Sequence, residues 1–323
     1  LHSFPTRRSS DLHIALKFSG SLGATKYGVF AAEEDESVGR RFTALRLVRD
    51  FATQNLGLMV TNVDRPFFDR KATVLGVDHN WRPTARWNVR TRLIGSDIEQ
   101  SGESSTDTGA TVLADYEMDH GWRQQWILMH FGSDFQINDV GFLNRNNMNY
   151  AHWQFARRFT ALPAQSRYAS KDWRGRVSSI HNNHGDLLNH QLRISRDSKL
   201  RNGSYEYGQI NINSAGMDDL LTRGNGAVKL PPNFNSVFEY ERPRFGNWGY
   251  SIEGEVFSGG LSGNDRVGYR LEVEPRYFVS DALNLYVGLE VERTPDWLVW
   301  QEGTLFGSFD RSEEHTSELQ SPI

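Results

Sequence analysis

Apolar and polar residues alternate with a period of two along nearly the whole chain, and this pattern predicts β-strands. In residues 14–22, Ile14, Leu16, Phe18 and Leu22 face one way and Ala15, Lys17, Ser19 and Ser21 the other. In 84–93, Ala85, Trp87, Val89 and Leu93 alternate with Arg86, Asn88, Arg90 and Arg92. Residues 269–279 repeat the pattern, with Tyr269, Leu271, Val273, Tyr277 and Val279 opposite Arg270, Glu272, Glu274 and Arg276. Seventeen such segments can be drawn: 14–22, 24–32, 41–50, 55–63, 70–80, 84–96, 109–119, 123–132, 148–162, 167–181, 187–199, 204–213, 233–242, 248–258, 266–277, 284–293 and 298–309. No long stretch carries the helical period, so the chain is predicted to be all-β.

The connections alternate as well. Short ones fall at Gly23, 51–54, 81–83, 120–122, 163–166, 200–203, 243–247 and 278–283. Mostly longer, more polar ones fall at 33–40, 64–69, 97–108, 133–147, 182–186, 214–232 and 259–265. Short turns at one end and long loops at the other describe an antiparallel transmembrane β-barrel of the outer-membrane type, with lipid as the apolar partner and the bacterial outer membrane as its location. Seventeen strands are too many for one sandwich, and no repeat of blade length points to a propeller.

Composition agrees. Mean hydropathy is −0.58, yet aromatics reach 12% with nine Trp, and there are 29 Gly. Only every second strand residue meets lipid in a barrel, which lowers the average without removing the apolar face. No run of ~18 apolar residues marks a transmembrane helix. The absence of cysteine excludes disulfides and thiolate chemistry. A net charge of −4 gives no bulk attraction to nucleic acid.

Arginines and glutamates occupy the polar side of many strands: Arg86, Arg90, Arg92, Glu117, Glu239, Glu253, Glu255, Arg270, Glu272, Glu274, Glu290 and Glu292. On a soluble sheet this face would simply be wet. In a barrel it lines the interior, pairs across strands and leaves a narrow lumen rather than a wide porin. Trp81, Trp122, Trp153, Trp173, Trp248, Trp297, Tyr27, Tyr150 and Tyr277 lie near segment ends, where interfacial girdles form.

The most distinctive stretch is 133–145, SDFQINDVGFLNR, which leads into an aromatic-rich strand. It resembles the motif D-F-N-P-E-V-G-F-x-x-R of a bacterial outer-membrane barrel family of unknown function. Asp134, Phe135, Asn138 or Asp139, Val140, Gly141, Phe142 and Arg145 match in type, whereas Gln136–Ile137 depart from Asn-Pro. FTALRLVRDF, NLGLMVTNVDRP and VLGVDHNWRP are similar to that family's strands. The resemblance implies a barrel domain whose longer members carry a family-9-type carbohydrate-binding domain upstream, and hence a glycan ligand held outside this segment. It implies no catalytic residues. We expect 133–147 to fold into the mouth of the barrel and narrow it, with Arg145 paired to Glu117 or Asp119.

Other chemistry is sparse. His181, His184 and Asp186, with His190, are the best metal-like cluster, set against an ordinary polar loop. Glu253/Glu255 and Glu272/Glu274 are paired carboxylates of the kind a glycosidase uses, but spacing at i, i+2 is the strand pattern itself. SGGLSGND at 258–265 lacks the Lys and the strand–helix context of a phosphate loop. No cofactor is called for. Two readings stand beside the barrel: a carbohydrate-active hydrolase and a soluble all-β binding module.

The termini read differently. HSFPTRRSSDL at 2–12 and RSEEHTSELQSP at 311–322 match translations of the adapters used in short-read DNA sequencing. Residues 1–12 and 311–323 are therefore expected to be adapter-derived and 13–310 to be a barrel domain truncated at both ends, in metagenomic material. A tight turn at Gly23 as the first connection implies an odd number of strands missing upstream, and at least eighteen in the intact barrel.

Overall fold

The computed structural model describes residues 12–34, 39–222, 226–259 and 267–294, and the backbone of 297–301 and 308–312. Among the described residues strands dominate, and the two helical turns, Pro66–Phe68 and Asp119–Gly121, are three residues each. Seventeen strands belong to one antiparallel sheet, which is not closed. The chain divides into two units, one of Leu1–Glu117, Gln125–Ala151 and Asn182–Gly185, the other of Met118–Gln124, His152–His181 and Asp186–Ile323.

The first unit holds β1 (Leu12–Leu22), β2 (Thr25–Glu34), β3 (Arg41–Asp50), β4 (Gln54–Arg65), β5 (Arg70–Trp81), β6 (Trp87–Gln100) and β7 (Glu103–Glu117). Each of these pairs with the next in sequence. β8 (Trp122–Phe131) and β9 (Met148–Phe159) follow and contribute to both units. The second unit continues with β10 (Tyr168–His181), β11 (Leu187–Leu200) and β12 (Tyr205–Asn213). After a small hairpin of β13 (Gly216–Asp218) and β14 (Val228–Leu230), the sheet resumes with β15 (Asn233–Phe245), β16 (Trp248–Ser258), β17 (Val267–Phe278), β18 (Asn284–Tyr286) and β19 (Leu289–Arg293). β20 (Trp297–Gln301) and β21 (Ser308–Ser312) form a separate two-stranded sheet.

Period-two alternation fixes which residues share a face. In the first unit Leu47, Leu58, Val77 and Leu93 form one cross-strand row, and Leu47, Val77 and Leu93 are exposed. The opposite face carries Phe42, Val63, Ala72 and Ile98 in another row, and these make a small buried cluster. In the second unit Leu192, Ile194, Ile210, Ile212, Val256 and Leu271 are exposed, while Asp172, Ser195 and Asn211 are buried. In the second unit this is the reverse of a water-soluble core, with large apolar side chains outside and mostly polar positions buried. In the first unit an apolar face is likewise exposed, but Val63, Ala72, Ile98, Phe131 and Phe135 are buried.

Several expectations need correction. The long connection expected at 97–108 is a tight turn at Ser101–Gly102, with φ of 53° and 82°, and both flanking strands run to its edge. Ser and Thr on both faces hid the alternation there. The segment 284–293 is two short strands, both paired with β17. The segment expected as one strand at 298–309 takes in β20 and the start of β21, which pair with each other outside the main sheet, while 302–307 lie outside the described residues. The total of seventeen thus coincides with the expected count by a different route. The glycine-rich stretch falls largely outside the described residues.

Candidate functional site

On the polar face of the first unit, strand register sets three parallel rows. Arg65, Arg70, Gln100 and Glu103 form the row at the strand ends. Val63, Ala72, Ile98 and Ser105 form the next, and Thr61, Val74, Ser96 and Asp107 the third. The segment between β8 and β9, residues 132–147, lies across all three.

Its root is at the third row. The Gly132 amide donates to the Thr108 carbonyl at 2.9 Å, and the Asp134 amide donates to Asp107 Oδ2 at 2.8 Å. A Cβ at Gly132 would overlap the Asp107 carboxylate. Gly132→Ala is therefore expected to cost about 1–3 kcal/mol of overpacking, read as a lower denaturant midpoint; an unchanged midpoint would show that the root is not tight. Phe135 is 0% exposed and stacks on Phe131, with ring centroids 5.4 Å apart and planes within 5°. Gly109 makes room beneath both rings. The Gln136 amide donates to Ser96 Oγ at 3.1 Å.

The far end is an ion cluster. The Asp139 side chain is only 5% exposed. Arg70 Nε and Nη2 donate to its two oxygens at 3.1 and 2.8 Å. Arg65 Nε lies 3.2 Å from Oδ1 as an ionic contact, and its Nη2 donates to the Asp139 carbonyl at 3.4 Å. Arg70 also donates to Gln100 and Gln136. Asparagines close the loop. Asn138 brackets Leu143 through its amide, Asn146 Nδ2 donates to the Ser133 carbonyl, and Asn183 Nδ2 donates to the Phe131 carbonyl.

The predicted motif residues therefore separate by role. Asp134 acts through its backbone, Phe135 and Asp139 are anchors, and the Gly141 amide bonds the Ile137 carbonyl at 2.8 Å. Phe142 is 80% exposed at the outer side of the segment. The expected pairing of Arg145 with Glu117 or Asp119 does not fit the strand length. The loop meets β7 at Asp107, and Glu117 is ten residues further on, about 33 Å away at ~3.3 Å per residue.

The charge ladder is present as local pairs. In the first unit Arg90 donates to Asp115 at 2.8 Å, and the Glu117 amide bonds the Arg86 carbonyl. In the second, Glu239, Glu253, Glu272 and Glu290 are directly cross-strand, one on each of four strands. Arg270 sits 3.1 Å from Glu272 and 2.6 Å from Glu290, and Arg276 lies 2.6 Å from Glu274. Like charges facing each other destabilise a sheet, so Arg270 offsets part of this row. Among the described residues no group of three or more His, Asp or Glu is placed to hold a metal. His181 instead lies edge-on to His190, and the His184 amide bonds Asn182 Oδ1.

Sequence reasoning missed Arg65, Arg70, Asp107 and Asn183. It also missed a buried acid in the second unit: Asp172, 8% exposed, lies against Arg123 (2.6 Å), Arg158 (3.0 Å) and Arg174 (3.2 Å). A lone acid in an arginine-rich strand was the available signal. Asp172→Asn removes the charge these partly exposed arginines share. Discounted for solvent screening, the expected loss is about 1–2 kcal/mol, measured by denaturant unfolding. No loss would assign Asp172 a merely local contact.

Together these features define an all-β antiparallel sheet with one long segment folded back onto its polar face. The chain matches the family described as Domain of unknown function (DUF5916) over residues 50–315, and it belongs to that family. No curated protein matches it.

Proposed function

We propose that the sheet closes into a β-barrel of the bacterial outer membrane, with its apolar face toward lipid. Its polar face then lines an interior that 132–147 narrows, and the protein binds or passes a polar substrate without chemical conversion. The observation that carries this is the inverted burial. Rows of Leu, Ile, Val and Phe are exposed in both units, whereas Ser96, Asp172, Ser198 and Asn211 are buried. In water such an apolar surface is far larger than a monomer normally leaves uncovered, whereas lipid supplies its partner. The seated segment supports a restricted interior.

Refolding the chain in detergent tests this. The expected result is faster gel migration of the unboiled than of the boiled sample, with recovery in membrane vesicles. A chain that stays monomeric in plain buffer and shows no heat-dependent migration would favour the soluble module instead. Hydrolysis of a glycan panel would favour the enzyme.

A further inference from the structure

The first two rows, the turn between β6 and β7 and the seated segment leave a cavity between them. It has a volume of about 380 Å3 and is lined by Arg70, Ile98, Gln100, Ser101, Glu103, Ser104, Ser105 and Gln136. That volume falls within the ~300–1,000 Å3 typical of small-molecule sites. Its chemistry follows from what its groups already hold. Arg70 has only donors, so Gln100 and Gln136 must each turn the amide oxygen toward it, and they do, at 2.8 and 3.1 Å. Both NH2 groups are thereby left as donors for the cavity. Arg70 pairs with Asp139, which lies outside the lining and is shared with Arg65, so Glu103 in the wall balances the remaining positive charge. Three serine hydroxyls donate or accept, and Glu103 accepts. The wall thus offers many neutral donors and acceptors, and its one arginine is already held by Asp139, Gln100 and Gln136.

We infer that this cavity binds a neutral, hydroxyl-rich small molecule, a sugar or polyol. Such a ligand presents hydroxyls that both donate and accept, as the amides, hydroxyls and carboxylate require. An anion would meet Glu103 and an arginine already occupied, and a simple cation would meet two amide NH2 groups. The site lies wholly within β5–β7 and the seated segment. It does not need the sheet to close, so it stands or falls separately from the barrel.

Saturation-transfer difference NMR on the full chain in detergent micelles tests it. The probes are D-glucose, D-galactose, N-acetyl-D-glucosamine and myo-inositol, with acetate and methylammonium as the charged arms. At least one polyol is expected to receive saturation, and its affinity is expected to drop about tenfold or more in Ser104→Trp, where an indole fills the mouth. Ser104 is exposed at the hairpin edge. Gln100→Ala, which removes one donor without adding bulk, is expected to weaken the same probe about threefold to tenfold. Retained β-sheet circular dichroism certifies that each variant folds. Silence from every polyol, binding of the charged probes alone, or polyol binding unchanged in both variants would overturn the assignment.

Discussion

Ile194→Arg is expected to cost about 2–4 kcal/mol when the chain is refolded into phospholipid vesicles, the range for a cation on the lipid face near the bilayer midplane. Ile194 is 46% exposed and lies opposite Gly175 on one neighbour and Ile210 on the other. It is mid-strand, with polar neighbours Arg193 and Ser195 on the other face. In a water-soluble sheet the same substitution at a half-exposed position falls within about 0.5 kcal/mol of neutral. The two outcomes differ by several-fold, so the variant separates the readings. Gln209→Arg, on the polar face of β12, is the control and should change the unfolding midpoint little. Equal small effects from both variants would remove lipid as the partner of the apolar face.

Asp139→Ala is expected to release the seated segment. Removing one partner of a buried ion cluster costs on the order of 3 kcal/mol, because Arg65 and Arg70, with side chains 24% and 15% exposed, lose their shared counter-charge. Much of that penalty falls on the segment rather than on the strands, whose ladders are untouched. Chymotrypsin provides the readout and its own control. Phe142 is 80% exposed and is cut in either protein, whereas Phe135 is 0% exposed and becomes a cleavage site only after the segment lifts. Asp139→Glu, which restores the charge on a longer arm, should recover part of the protection. Identical digests of Asp139→Ala and the parent would show that the root at Asp107 and Phe135 suffices to hold the segment.

Strand positions were legible because one face is apolar in nearly every strand. Residues 41–50, 70–81 and 187–200 form strands almost where the alternation places them. The pattern failed where neither face is apolar. Across 100–108, Ser and Thr occur at both parities, so two strands joined by the Ser101–Gly102 turn looked like a loop. The 133–147 stretch stands out in the sequence, and in the structure it folds back onto the polar face of the first unit. Its partners were not legible, because Arg70 and Arg65 reach Asp139 from 69 and 74 residues away. Only the register of β4 with β5 brings those two arginines together. The sequence alone offers Glu117 or Asp119 as the acid for Arg145, and strand length removes both.

The most direct test of the account is the environment of alternate residues along β12. The chain has no cysteine, so single cysteines at Gln209, Ile210, Asn211 and Ile212 can each carry a spin label in vesicles without a background site. Labels at Ile210 and Ile212 should collide with oxygen dissolved in the lipid, and those at Gln209 and Asn211 with a water-soluble nickel chelate. Collision profiles with no period of two, or with all four labels equally accessible to the chelate, would contradict a sheet that turns its apolar face to the membrane.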